Sequence, residues 1–277
     1  MQPMRARFVF AVAGDAHGAA LAVPLAFLRR ATRAEIIVVQ RAGDAQAPHD
    51  QCLAVEVPAH LTAHQAAIWL KTGLHNILGL ERPFCYLDSD VLVLSPGIEQ
   101  VFATPTPLAF APDHVPLDEF SPHAVHCGCQ RPCAHLREAL FCDFGIDVEA
   151  SSPLWNGGVF VARAGAEAAL GDWHAMAQRV FTLPYWATRD QGVLVGAMWR
   201  AGLQNAPLLP SRFNTILDCF DKIHPNRRAA TPNTALARYP AHLPLPQAVA
   251  VHLINHGVGR TGWPHWDHLA QLLETAA

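Results

Sequence analysis

Two carboxylates in the middle of an apolar run restrict what this chain can fold into. Residues 85–94 read Cys-Tyr-Leu-Asp-Ser-Asp-Val-Leu-Val-Leu, hydrophobic enough for a buried sheet strand except at Asp88 and Asp90. In a strand alternate side chains share a face, so both carboxylates would point the same way. Two ionised carboxylates side by side repel each other and lose hydration, which calls for a positive group between them. A hard divalent cation is the simplest candidate, because carboxylate oxygens are its preferred ligands. Two carboxylates leave its shell incomplete, and such ions commonly take substrate phosphates to fill it. The expectation is a metal–diphosphate site at the end of a sheet strand.

The rest of the composition permits that reading. With 277 residues, 51% hydrophobic and 16% charged, the chain can build a sizeable core in one large α/β domain or two small ones. A net charge of −3 and no basic stripe argue against a nucleic-acid partner. No apolar run reaches the roughly 18 residues that span a bilayer, so no transmembrane segment is expected. The apolar run 8–13 is too short for a signal peptide, and the expected location is the cytoplasm. Seven cysteines, an odd number, suggest thiols or metal ligands, not a disulfide framework.

Residues 8–13 form a first strand leading into the loop Gly14-Asp15-Ala16-His17-Gly18, a place where α/β sheets commonly hold nucleotides. Helical composition over 19–30 precedes strands at 35–40 and 52–57. Residues 62–78 repeat their apolar positions at helical spacing, with Thr62 as N-cap. Lys71 lies within that helix, either snorkelling to solvent or facing a phosphate. A short helical turn ending at Phe102 and a strand at 108–111 complete an α/β pattern with a mostly parallel sheet.

Residues 113–150 are rich in His, Cys and Pro and are expected to form an insertion over the sheet edge, outside the core. The spacing Cys127-x-Cys129-x3-Cys133, with Cys142 and His126 nearby, suits either structural Zn²⁺ or unligated thiols in a packed loop. The strand-like run 154–161 has Asn156-Gly157-Gly158 at its centre. Paired glycines there mark a bulge or a close approach of another group, and the Asn156 amide could bond sugar hydroxyls. Asp190 precedes the apolar helix 193–199 and is placed to cap it, with or without a further role. Residues 208–214 and 248–254 flank a Pro-rich stretch, 221–246, and a short helix over 266–273 follows.

Taken in order, Asp-x-Asp, Asn-Gly-Gly-Val, Asp-Gln at a helix start, and a strand ending in His with Gly-Trp-Pro beyond it form a connected set. The chain resembles the nucleotide-sugar glycosyltransferases of the GT-A fold, in particular the retaining family of glycogenin and the bacterial lipopolysaccharide galactosyltransferases. The resemblance runs from about Arg7 to Trp266 and thins across 113–150 and 221–246. It implies a single GT-A-like catalytic domain over 1–277, with a nucleotide-binding half (1–112), the insertion (113–150) and a sugar and acceptor half (151–277). By the same resemblance Asp88 and Asp90 bind Mn²⁺ or Mg²⁺ on the donor diphosphate. Gly14, Asp15 and Ser89 join the donor site, and Lys71 stands where the family has an arginine. Asn156, Gly157 and Gly158 line the sugar pocket, Asp190 and Gln191 stand beside the anomeric carbon, and Asn214 resembles an asparagine following a Leu-Pro turn. The third metal ligand is a histidine after the last strand, either His252 or His256. Arg260 takes the place of a phosphate-contacting lysine, while Gly262-Trp263-Pro264 departs from the family's Lys-Pro-Trp order.

The activity so implied is hexosyl transfer from a nucleotide-diphosphate sugar, a UDP-sugar, to a hydroxyl on a carbohydrate, lipid-linked or protein acceptor, with retention. Two other readings remain open from the residues. One is a non-catalytic zinc- or nucleotide-binding scaffold. The other is a nucleotidyltransferase, which would want a basic phosphate loop, and the stretch 14–18 contains no Lys or Arg.

Overall fold

The computed structural model describes residues 6–49, 51–187, 190–218, 248–254 and 257–274. His256 and the Pro-rich stretch 221–246 lie outside the described residues. Strand β1 (Arg7–Val12) is buried at all six positions, as befits the middle of a parallel sheet covered on both faces. Helices α1 (Asp15–Ala20) and α2 (Ala22–Ala31) lead to β2 (Glu35–Arg41) and β3 (Cys52–Val55). The expected nucleotide loop is therefore largely a helix, because α1 begins directly after Gly14. Helices α3 (Ala63–Thr72) and α4 (Leu74–Leu78) then lead to β4 (Phe84–Leu87). Thr62 caps α3 through a capping box: its hydroxyl accepts from Gln65 N at 3.2 Å, and Gln65 Oε1 accepts from Thr62 N at 3.0 Å. The expected single helix over 62–78 breaks at Gly73.

The run 85–94 is not one strand. Asp88, Ser89 and Asp90 form a turn between β4 and β5 (Val91–Val93), and these two strands belong to different sheets. Asp88 N donates to Gly158 O at 2.8 Å, Val91 N to Asp88 O at 3.0 Å, and Leu253 N to Asp90 O at 2.9 Å. The turn leaves both carboxylates partly hydrated, whereas a strand interior would have desolvated them.

A 3-10 segment (Pro96–Ala103) precedes β6 (Leu108–Pro112), α5 (Leu117–Ala124) and α6 (His135–Phe144). Then follow β7 (Trp155–Ala162), α7 (Glu167–Val180), α8 (Gln191–Arg200), β8 (Thr215–Asp218), β9 (Ala250–Ile254) and α9 (Pro264–Glu274). Among the described residues, six strands form one sheet in the order β3-β2-β1-β4-β7-β6, and three form another in the order β5-β9-β8. The pairs β1–β2, β1–β4 and β2–β3 are parallel, and β7 runs antiparallel to both of its neighbours.

Alternation along β1 separates two cores. Val9 and Ala11 face the helices α3, α7 and α8, while Phe8, Phe10 and Val12 face α2. A third cluster joins Leu92, Val251 and Leu253 of the small sheet to Trp266 and Leu269 of α9. Residues 113–150 depart from the expected surface insertion: Leu117, Ala124, Leu136, Leu140, Ile146 and Val148 are buried in the first core. The apolar faces of α5 and α6 find cover against each other and α8, so this segment contributes to the core.

Candidate active site

The site forms where the chain leaves the large sheet. Because β1 and β4 are parallel, Gly14 and the 88–90 turn emerge at the same edge. Tyr86 and Asp88, two residues apart, meet: the phenol donates to Asp88 Oδ1 at 2.5 Å. Burial, followed by the Asp88 charge, pushes the Tyr86 pKa well up, so it stays a hydrogen-bond donor.

Lys71, in the last turn of α3, is buried and does not snorkel. Its ammonium lies 3.2 Å from Asp88 and 3.0 Å from Asp190, with the Tyr86 ring 5.2 Å away. Burial alone would lower its pKa, but Asp88 and Asp190 outweigh that and raise it. Burial raises the Asp190 pKa and Lys71 lowers it, with a net downward shift. Both groups therefore stay ionised. Asp190 occupies the N-cap position of α8, yet its carboxylate makes no cap bond, being turned to Lys71 instead. The Trp173 indole anchors its backbone by donating to Asp190 O at 2.8 Å.

His252 pairs across the small sheet with Val91, which places its ring beside the 88–90 turn. Nε2 lies 3.0 Å from Asp90 and 4.0 Å from Asp88. Burial disfavours the imidazolium, but Asp90 more than offsets this, and the His252 pKa is raised. Burial raises that of Asp90, and His252 lowers it to a net downward shift.

A bulge makes room for this packing. The register between β6 and β7 slips between Phe110 and Ala111, opposite the glycine pair. A Cβ on Gly157 would stand 3.3 Å from Lys71 Nζ, and one on Gly158 would stand 2.3 Å from His252 Cε1. The glycines are thus both bulge and clearance. Asn156 Oδ1 accepts from Gly158 N at 2.8 Å and Asn214 Nδ2 at 2.9 Å. Its Nδ2 donates to Asp113 Oδ2 at 2.9 Å and to Gln191 Oε1 at 3.4 Å. The expected sugar-bonding amide is thereby engaged within the protein, as an organiser of its neighbours. Gln191 Nε2 donates to the same Asp113 oxygen at 2.7 Å.

Asp113 escaped the sequence reading. Its carboxylate is buried, with His114 Nδ1 at 2.8 Å. Burial raises its pKa, and the bonds from His114, Asn156 and Gln191 carry it to a net lowering. The available signal was an acid directly after the apolar run 108–112, at a strand end like Asp88.

Among the other expected donor residues, Ser89 is half-buried at the centre of the turn. Gly14 and Asp15 hold the segment after β2: Gly14 N donates to Asp44 at 2.6 Å and Ala45 N to Asp15 at 2.8 Å. Arg260 lies in the turn beyond β9, held by Trp263 N donating to its carbonyl at 3.2 Å. The cysteine segment is assembled differently from expectation. Cys127, Cys129 and Cys133 gather with His135, while His126 and Cys142 stand outside that group.

The donor set fits a hard divalent cation. Asp88, Asp90 and His252 each offer a ligand atom, all within 4.8 Å of one another. Four carboxylates, Asp88, Asp90, Asp113 and Asp190, gather with Lys71 and the histidines His114 and His252.

No protein-family model matches the chain, and no curated protein sequence does. In three dimensions it is similar to the galactosyltransferase LgtC solved with donor and acceptor sugar analogs, with a TM-score of 0.55 and 16% identity over 97% of this chain and 95% of that one. It is also similar to the bifunctional glycosyltransferase WbbM (TM-score 0.57, 14% identity, 98% of this chain and 52% of that one). The glycosyltransferase GlyE of Streptococcus pneumoniae matches with a TM-score of 0.56 and 13% identity, over 99% of this chain and 63% of that one. The chain carries the GT-A fold of the glycosyltransferases.

Proposed function

We propose that the protein transfers a hexose from a nucleotide-diphosphate sugar, a UDP-sugar, to an acceptor hydroxyl, using Mn²⁺ or Mg²⁺ and retaining the anomeric configuration. The observation that carries this reading is the convergence of Asp88, Asp90 and His252 at the edge of a GT-A sheet. These three residues would hold the cation, which when bound would neutralise charge on the leaving diphosphate. The chain's own contribution is electrostatic and positional. Asp190, kept ionised by Lys71, offers a fixed negative charge to a sugar that becomes cation-like as its bond to phosphate breaks. Asp113 and Asn156 fix the Gln191 side chain next to it. Lys71 also supplies a buried positive charge beside Asp88. The acceptor would be a carbohydrate, lipid-linked or protein hydroxyl.

Binding is the direct test. Nucleotide sugars should raise the melting temperature in the presence of Mn²⁺ and not in a chelator, and Asp90→Asn should remove the difference. Equal donor affinity with and without Mn²⁺ in the wild-type protein would sink the assignment. The pairing of Lys71 and His252 with the carboxylates is what favours the other reading, a nucleotide-binding protein without transfer activity. Donor binding with neither transfer nor hydrolysis across acceptor classes would establish that alternative.

A further inference from the structure

Outside this site, four soft donors converge in nine residues between α5 and α6. Cys127 Sγ and Cys133 Sγ are 3.7 Å apart, and Cys129 Sγ is 3.6 Å from His135 Nδ1. All four donor atoms lie within 4.8 Å of one another. A zinc ion with bonds of about 2.3 Å to sulfur and 2.05 Å to nitrogen has tetrahedral edges of about 3.8 Å between sulfurs and about 3.6 Å between sulfur and nitrogen. The observed separations match both edges. A disulfide would need sulfurs about 2.05 Å apart, and the cysteines are free thiols.

The surroundings are those of a ligand shell. Cys133 Sγ lies 3.3 Å from the Ser121 hydroxyl, which is fully buried and also accepts from Leu136 N at 2.8 Å. Cys133 N donates to Asp118 O at 2.9 Å, and Asp118 in turn pairs with Arg137 at 2.9 Å. His135 turns Nδ1 to the thiols and Nε2 toward Glu138, 3.9 Å away, the orientation in which an outer carboxylate sets a ligating imidazole. The cluster also sits at the start of α6, where the helix dipole favours thiolates.

We propose that Cys127, Cys129, Cys133 and His135 form a tetrahedral zinc site that pins the α5–α6 loop. The loop so pinned is bonded to the segment 185–187 through the backbone. Val125 bridges to Trp186, His126 N donates to Tyr185 O at 2.7 Å, and Ala187 N to Ala124 O at 2.8 Å. The segment so braced runs on in sequence to Asp190 and Gln191.

The test uses the full chain, purified reduced and without chelator. One zinc ion per chain should survive dialysis, and exchange for Co²⁺ should give thiolate-to-metal charge-transfer absorption with tetrahedral ligand-field bands. That absorption separates this site from Asp88, Asp90 and His252, which offer no sulfur. Cys129→Ser, at a half-exposed position, should lose the absorption and the retained zinc, whereas Cys142→Ser should keep both. Wild-type protein that shows no thiolate band after Co²⁺ reconstitution, or that carries iron with sulfide there, would overturn the proposal. So would a Cys129→Ser variant that holds zinc as the wild type does. None of these outcomes depends on sugar transfer.

Discussion

Lys71 shows how much one side chain can organise. Its ammonium bonds carboxylates 17 and 119 residues away in sequence, and it is almost fully buried while doing so. Removing a single partner from a buried pair leaves charge without compensation, which costs more than the pair contributes net. Lys71→Met should therefore lower stability by about 3 kcal/mol, the lower end for buried pairs, because Asp88 and Asp190 keep some contact with water. Adding Asp190→Asn should restore part of the loss, giving a coupling of about 1–2 kcal/mol in a double-mutant cycle read by urea unfolding. Additive losses would show that Lys71 and Asp190 are neighbours without an energetic link. The helical position of Lys71 was legible in the sequence, but its partners were not. Helical spacing gives the face a lysine occupies, not the distant loops that close over it.

At the scale of elements, α3 and α7 meet through a histidine. His174 Nδ1 lies 2.8 Å from the Thr72 hydroxyl, and its ring packs edge-on to Trp69 at 5.3 Å. Burial, then the nearby His75 charge, pushes its pKa down from 6.5 to about 4. The unfolded chain binds more protons than the folded one between those values, so stability from this group is fully present above pH 6.5 and declines as pH falls toward 4. His174→Gln should flatten that part of the profile of melting temperature against pH. An unchanged slope between pH 6.5 and 4 would show that other groups set the acid limit. Elements were the readable scale: the Thr62 cap, the α8 helix and the β7 strand with its glycine pair all follow from local pattern. What pattern could not give was the break at Asp88–Asp90. Residues 85–94 read as one continuous apolar run, and the break arises from hydrogen bonds offered by Gly158 and Leu253, residues distant in sequence.

For the whole molecule, the candidate cation ligands span two sheets. Asp88 follows a strand of the large sheet, while Asp90 and His252 belong with the small one. A ligand that binds only when both sheets are in place stabilises the entire fold by mass action. Mn²⁺ at a hundred times its dissociation constant should add about 2.7 kcal/mol, a rise of roughly 5 °C in melting temperature for a chain of this size. His252→Ala should abolish the rise, and an undiminished rise in that variant would place the ion elsewhere. The Asp113 network and the core role of residues 113–150 belong to this scale too. Both depend on how α5, α6 and α8 close over the sheet, which no local periodicity encodes.

The 88–90 turn is tied to both sheets through main-chain groups: amides of Asp88, Val91 and Leu253, and carbonyls of Gly158, Asp88 and Asp90. Its carboxylates are held by side chains of other elements, Asp88 by Tyr86 and Lys71 and Asp90 by His252. Scaffold and reactivity therefore rest on different bonds here. Evolution or an engineer that rewrites position 88 or 90 can keep these main-chain bonds, but must also supply a new partner for Lys71 or His252.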